Sequence, residues 1–125
     1  MRRLFIAAAQ LALAGSALCA TFDVDGDLMR GIDDTAKSLD SNVAQKDAKA
    51  AAADARSLVD TFAHVESHSA ETPETADAVG FAHHTQELAA QALKAIESSD
   101  FDAAGTAVEE LTRSCKTCHN VYKKD

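Results

Sequence analysis

The sequence predicts an all-α protein, an antiparallel up-down-up-down four-helix bundle. Helix-favouring residues such as Ala, Leu and Glu dominate its 125 residues, whereas only five Gly and one Pro occur. Four stretches carry apolar residues at the three- and four-residue spacing of one helix face. The residues after Asp47 resemble those after Asp100, and Leu58 matches Leu111 at the same offset of 53. Two such helix–loop–helix halves predict a bundle of alternating direction.

The first half of the chain contains two predicted helices. The first covers about 24–40 and ends at 41–42, with the apolar stripe Leu28, Met29, Ile32, Ala36 and Leu39. Aspartates near its start suit the positive end of a helix dipole. The second covers about 47–66, with Asp47 as N-cap, and a polar loop follows at 67–72. Its predicted inward face is Ala48, Ala51, Ala52, Ala55, Leu58, Val59, Phe62 and Val65.

The second half contains the other two helices. Thr72 as N-cap and Pro73 at the first helical position begin a helix that runs to about Ser98. Its apolar residues are Val79, Phe81, Ala82, Leu88, Ala89, Ala92, Leu93 and Ile96. Ser99 and Asp102 form a capping-box-like start for the fourth helix. The predicted inward face of that helix is Ala104, Ala107, Val108, Leu111, Cys115, Cys118, His119 and Tyr122.

The N-terminus has the pattern of a secretory signal. A basic start, an apolar stretch and a tail of small residues make up residues 1–20, and the apolar stretch is too short to span a membrane. We expect cleavage after Ala20, with cleavage after Ala17 as the alternative. Residues 21–125 then form one small domain in the periplasm. Removal of Arg2 and Arg3 leaves 10 basic against 20 acidic residues. That balance disfavours nucleic acid and anionic membrane surfaces and favours solubility and a basic partner, with a plain solvated acidic surface as the alternative. We expect no stable membrane insertion.

The sequence Cys-Lys-Thr-Cys-His at 115–119 carries the chemistry. After export, Cys115 and Cys118 are the only cysteines left, one helical turn apart on one face. In an exported protein this spacing is typical of covalent c-type haem attachment, with His119 as the proximal iron ligand. A redox dithiol and half of a zinc site are the other interpretations. The chain has no second ligand pair at zinc spacing and no βαβ pattern of the thioredoxin type.

The whole pattern resembles class II c-type cytochromes, the cytochrome c-prime group, over essentially the whole mature chain. The resemblance rests on residues 115–119 in the last of four helices, on Val121-Tyr122-Lys123, and on Leu28-Met29-Arg30. In the family, an aromatic residue followed by Arg or Lys commonly trails the motif, and the first helix faces the distal side of the haem. The resemblance implies one covalent haem c, redox partner proteins, and often a homodimer formed through the first helix.

Met29 decides between two functions under this resemblance. A Met29 thioether opposite His119 would fill both axial positions and suit an electron carrier that is not an enzyme. A non-ligand there would leave five-coordinate iron, which binds nitric oxide or carbon monoxide. Met29 as plain core packing, or Leu28 in its place, remain alternatives. Phe81, Tyr122 and Lys123 are candidates for the haem pocket, with inter-helix core or solvent contact as the alternative roles.

The remaining histidines and acidic residues carry weaker signals. His64 and His68 stand four apart, a spacing that can chelate a metal, and His83 and His84 are adjacent. Surface or haem-edge positions are the default expectation for all four, although one of them could compete for the sixth coordination position. No nucleophile–base pair, phosphate-binding glycine loop or acid/base dyad is evident.

Overall fold

The helices form the predicted bundle. The computed structural model describes residues 24–122, and Tyr122 by its backbone alone, so the signal segment and Lys123 lie outside it. Four α-helices span this region: α1 (Gly26–Ala44), α2 (Ala48–Glu71), α3 (Ala78–Glu97) and α4 (Phe101–Tyr122), with a 3-10 turn at Pro73–Thr75. Each helix packs on its chain neighbours, and α4 closes the ring against α1. This arrangement confirms the all-α, up-down-up-down prediction.

The core is built from alanines and a few large aliphatic residues. Ala51, Ala55, Ala89, Ala92 and Ala104 are fully buried, and such small side chains let neighbouring helices approach closely. The large side chains that are almost completely buried include Leu39, Leu58, Leu88, Ile96, Val108 and Leu111. Most predicted inward residues are buried, because the apolar stripes follow the helical period.

The internal echo in the sequence is a structural repeat. Asp47 accepts a hydrogen bond from the Ala50 amide at 3.0 Å, and Asp100 accepts one from the Ala103 amide at 3.0 Å. The residue before each cap has a left-handed backbone, with φ of 57° at Lys46 and 58° at Ser99. The cap residue, the amide that bonds to it and the left-handed residue before it all recur at the offset of 53 residues that links Leu58 to Leu111. The predicted cap at Ser99 was therefore wrong, because Ser99 is the turn residue and Asp100 caps α4.

The helices α1 and α2 both end later in the sequence than predicted. The helix α1 continues past residues 41–42 to Ala44, which adds Val43 to the core. The side-chain amide of Asn42 donates to Asp54 of α2 at 2.8 Å, so this polar residue links two helices and does not end one. The helix α2 extends through the predicted loop at 67–72 as far as Glu71. Ser67 is accommodated inside the helix, where its hydroxyl donates to the carbonyl of Ala63 at 3.1 Å.

The start of α3 also differs from the prediction. Thr72 makes no side-chain cap, and its hydroxyl donates back to the carbonyl of His68 at 3.1 Å. Pro73 begins the 3-10 turn, and α3 begins only at Ala78. A residue before proline avoids the helical region, which explains why α2 ends with the extended backbone of Thr72. The 3-10 turn then carries the chain across the end of the bundle.

Candidate functional site

The last two turns of α4 present the motif at one end of the bundle. Cys115 and Cys118 are both half-buried and form no disulfide, and Cys115 packs against the hydrophobic core. His119 is exposed. The prediction that His119 belongs to the inward face was therefore wrong. The reason is the helical period: on α4, His119 is turned about 80° from Leu111, which points into the core.

The surroundings of the two thiols raise their pKa values. Burial raises the pKa of Cys115, and the neighbouring Cys118 thiol and the carboxylate of Asp33 raise it further. Burial also raises the pKa of Cys118. Asp33 belongs to α1 and acts on a thiol of α4, and these two helices pack on each other. Both sulfurs are thus protonated thiols near neutral pH.

The packing of α1 on α4 relates Met29 to His119. The helices α1 and α4 run in opposite directions. Met29 lies near the start of α1 and His119 near the end of α4, so both lie towards the same end of the bundle. Leu28 faces the groove towards α2, and Met29 lies about 100° further round α1 on the other side of buried Ile32, on the flank towards α4. Its side chain is half-buried against the core.

Leu28 lies on the other flank of α1. It lines a groove of about 340 Å³ between α1 and α2, together with Ile32, Thr35, Leu58 and Thr61. A one-residue change of register would be needed to bring Leu28 to the α4 seam. Of the two candidates in the first helix, Met29 is therefore the one on the same seam as the motif.

Phe81 lies on the far side of α4 from Met29. It lines a groove of about 370 Å³ between α3 and α4, with His84, Glu110, Arg113, Ser114 and Thr117. Its side chain is half-buried. This burial agrees with both predicted roles of Phe81, a wall of the haem pocket and a contact between helices. Of the other two predicted pocket residues, the side chain of Tyr122 and all of Lys123 lie outside the described residues.

Small and polar side chains fill the interior at the motif end. Ser69, Ala78, Ala82 and Ser114 are each less than 9% exposed, and no large aliphatic side chain on α4 beyond Leu111 is buried among the described residues. Most of the large buried side chains lie at mid-height and towards the opposite end, whereas Phe62 and Val65 lie in the half of α2 nearer the motif. Two thiols one turn apart, an adjacent imidazole and the thioether of Met29 are the donor types that bind a c-type haem. Small interior residues and this donor set together fit the group.

Sequence reasoning missed Asp33, Thr85 and Ser114. Thr85 and Ser114 form a hydrogen bond of 2.6 Å between α3 and α4, and both are buried. Their positions continue the apolar stripes of α3 and α4, so the helical period could have identified them as inward. No sequence signal distinguishes Asp33 from the other aspartates of α1, because only the packing of α1 on α4 brings it to Cys115.

The other histidines lie on the surface or its edge. His83 of α3 is 3.3 Å from Glu66 through Nδ1 and 3.5 Å from Glu87 through Nε2. His64 is exposed and His68 is half-buried. Across residues 24–122, no three His, Cys, Asp or Glu side chains are grouped so that they could hold a metal ion. In the same residues, no helix has the length and hydropathy to cross a membrane.

Comparison with known proteins gives one match. The family model described as Cytochrome C' matches residues 20–123, which include all four helices and the motif. No curated protein and no solved structure matches the chain.

Proposed function

The chain belongs to the Cytochrome C' family, and on that premise we propose that it is a periplasmic mono-haem electron carrier and not an enzyme. Membership of this family means that the protein binds haem c. Cys115 and Cys118 attach that haem by two thioether bonds, His119 is the proximal ligand and Met29 the distal one. The half-buried, unpaired thiols and their spacing on one face of α4 support the attachment.

The observation that carries the proposal is that Met29 and His119 lie towards the same end of the bundle, on two helices that pack on each other. With haem bound, the Met29 thioether and the exposed His119 imidazole would both hold its iron. With both groups bound, the site would offer no vacant position to a gas molecule, which suits electron transfer without bond making.

The residues around the site set its redox properties. Bound haem supplies a one-electron ferrous–ferric couple. His and Met ligation favours a higher reduction potential than two histidines would, because the thioether stabilises the ferrous form. The core residues Phe62 and Val65 keep water from that end of the bundle. Phe81 and, by its sequence position, Tyr122 are proposed pocket residues, and Lys123 is proposed to lie beside the proximal ring or a propionate.

The N-terminal segment and the charge complete the proposal. Residues 1–20 have the pattern of a signal for export, which fits the compartment in which c-type haem is attached. The net charge of −8 favours a redox partner with a basic surface and disfavours nucleic acid and anionic membranes. A homodimer stays a proposal from the family resemblance.

The optical spectrum of the purified holoprotein tests Met29. We expect a low-spin ferric spectrum with the long-wavelength charge-transfer band of a thioether–iron bond, and no binding of carbon monoxide by the ferrous form. Met29→Ala should remove the band and open the position to carbon monoxide. Leu28→Ala, the matched control on the other flank, should keep the band.

Two results would overturn parts of the proposal. A high-spin ferric spectrum with carbon monoxide binding in the unmodified protein would identify a five-coordinate, gas-binding protein in place of a carrier. The mass of the protein after expression with the cytochrome maturation machinery tests the attachment. We expect the polypeptide mass plus one haem, and Cys115→Ala with Cys118→Ala should return the polypeptide mass alone. If the unmodified protein shows the polypeptide mass alone, haem is not attached, and a redox dithiol or a metal clip becomes the interpretation of the two cysteines.

A further inference from the structure

We propose that one corner of the bundle, beside the end of α4, is the docking surface for a basic redox partner protein. This inference rests on the proposed electron-carrier function. The acidic corner is defined here as residues 57–93, which form most of α2 and α3 and the turn between them. It holds four histidines and six carboxylates but no Lys or Arg: Asp60, Glu66, Glu71, Glu74, Asp77 and Glu87.

The rest of the described chain carries a smaller excess of negative charge, four charges against six in the acidic corner. Residues 24–56 and 94–122 hold twelve carboxylates and eight Lys or Arg residues. Four of these carboxylates form ion pairs with basic residues: Asp27 with Arg30, Asp33 with Lys37, Glu97 with Arg56, and Glu109 with Arg113. In the acidic corner, His83 lies within ion-pair distance of Glu66 and Glu87. All of the corner carboxylates except Glu66 are exposed, so the negative potential of the protein is concentrated there.

An exposed apolar residue adjoins this corner. Val121 is 59% exposed, and it is the only large hydrophobic residue of the described chain that is exposed. It follows Ser114 and Thr117 at helical spacing, and both of these line the groove between α3 and α4. Val121 therefore continues the same row to the mouth of the groove, where α3 begins after Asp77. The groove, which Glu110 and Arg113 also line, and this exposed apolar residue therefore meet at the edge of the acidic corner.

The position suits electron transfer. Val121 is two residues after His119, and Thr117 lies between the two motif cysteines, so a partner seated here would touch the haem-bearing turns of α4. Interfaces between redox proteins are small and short-lived, and attraction between opposite charges raises their rate of association. A second copy of this chain is a poor occupant, because it would bring the same negative charge. The occupant is a protein with surplus Lys and Arg around its own redox centre.

Reversing charges at two different places on the protein distinguishes an effect of the acidic corner on the reaction rate from an effect of the net charge. The test variant is Glu71→Lys with Glu74→Lys, and the control is Asp40→Lys with Asp102→Lys. All four residues are exposed, and no hydrogen bond or ion pair involves their side chains. The probe is a lysine-rich mitochondrial cytochrome c in its ferric form, mixed with the ferrous holoprotein in a stopped-flow instrument. Both double variants change the net charge equally.

We expect the second-order rate constant of the test variant to fall about 10-fold at low ionic strength. The control should change by less than about twofold, and the difference should vanish at high salt. Val121→Ser should lower the rate about threefold with an unchanged salt dependence, because it removes an apolar contact and no charge.

Three results would overturn the docking surface. Equal slowing of both double variants would show that net charge, and not the acidic corner, sets the rate. An unchanged rate in the test variant would show that the partner does not dock at the acidic corner. An unchanged rate in Val121→Ser would show that the partner does not contact the mouth of the groove. The carrier function is tested separately by voltammetry of the unmodified holoprotein on an electrode. If the holoprotein gives a reversible one-electron wave but the test variant keeps the rate constant of the unmodified protein, only the docking surface is overturned. Absence of the wave overturns the proposed function itself.

Discussion

The hydroxyl groups of Thr85 and Ser114 lie 2.6 Å apart inside the bundle and join α3 to α4 one residue before Cys115. Thr85 donates its proton to the carbonyl of Phe81 at 2.8 Å, so Ser114 is the donor to Thr85. Only 2% of Thr85 and 7% of Ser114 is exposed. This chain of hydrogen bonds fixes the rotation of α4 about its axis at the point where the motif begins.

Removal of one hydroxyl from this pair should destabilise the fold. In Thr85→Val, the Ser114 hydroxyl loses its buried acceptor, and we expect the free energy of unfolding to fall by about 1–3 kcal/mol. Ser114→Ala should cost about 1 kcal/mol, because Thr85 keeps its bond to Phe81. Urea denaturation of the holoprotein measures both.

The double variant tests whether the two hydroxyls act together. Thr85→Val with Ser114→Ala should cost less than the sum of the single changes by about 1 kcal/mol, because no unpaired hydroxyl remains. Exactly additive losses would contradict the hydrogen bond between α3 and α4. Thr106→Val is the control, since Thr106 is exposed and bonds only to the carbonyl of Asp102 in its own helix.

Asp100, and not Ser99, should contribute the capping energy of α4. Asp100→Ala removes the acceptor of the Ala103 amide and should lower the free energy of unfolding by about 1 kcal/mol. Ser99→Ala should change it by less than about 0.5 kcal/mol, because an exposed residue without a capping bond is lost. Thermal unfolding followed by circular dichroism measures the difference. A larger loss from Ser99→Ala would restore Ser99 as the cap.

The two left-handed residues should respond alike to glycine. Lys46→Gly and Ser99→Gly each replace a side chain at φ near 57° and should raise the free energy of unfolding by up to about 1 kcal/mol. Lys49→Gly, inside the first turn of α2, should lower it by about 1 kcal/mol. Chemical denaturation of the three variants checks the signs. Destabilisation by glycine at either turn would contradict the left-handed backbone.

The apoprotein thiols should react slowly until the pH is high. Burial raises the pKa of both Cys115 and Cys118 above that of a free thiol, so the folded chain disfavours the thiolate. We expect alkylation by iodoacetamide to be slower in the folded apoprotein than in urea, with the rate rising at a higher pH. Mass spectrometry of the labelled peptides measures each cysteine separately.

The same shifts fix the direction in which stability depends on pH. A pKa raised on folding gives stability that is complete below the unfolded value of about 8.5 and is lost as the pH rises through the folded value. Asp33→Asn should lower the pKa of Cys115 and quicken its alkylation. The neighbouring Asp34→Asn is the matched control and should leave that rate unchanged. Equal effects of both changes would contradict a specific influence of the Asp33 carboxylate on the pKa of Cys115.

Most of the fold was predictable because helices are local. The four apolar stripes, the Asp47 cap and the offset of 53 residues all follow from neighbours along the chain, and the bundle contains them all. The helix ends were less accurate. At Asn42 and Thr72 the side chain bonds to a partner other than the expected one, which sequence spacing does not reveal.

The sequence by itself determined the all-α fold and the Cys-Lys-Thr-Cys-His motif at 115–119, because both depend on spacing within one helix. Met29 became the candidate ligand through the resemblance to class II c-type cytochromes. Only the tertiary structure decided which flank of α1 faces α4. It puts Met29 on the seam with the motif and Leu28 in the groove towards α2, and it turns His119 outwards. The physical reason is that rotation and register between helices are set by side chains such as Asp33, Thr85 and Ser114, whose partners lie far away in sequence.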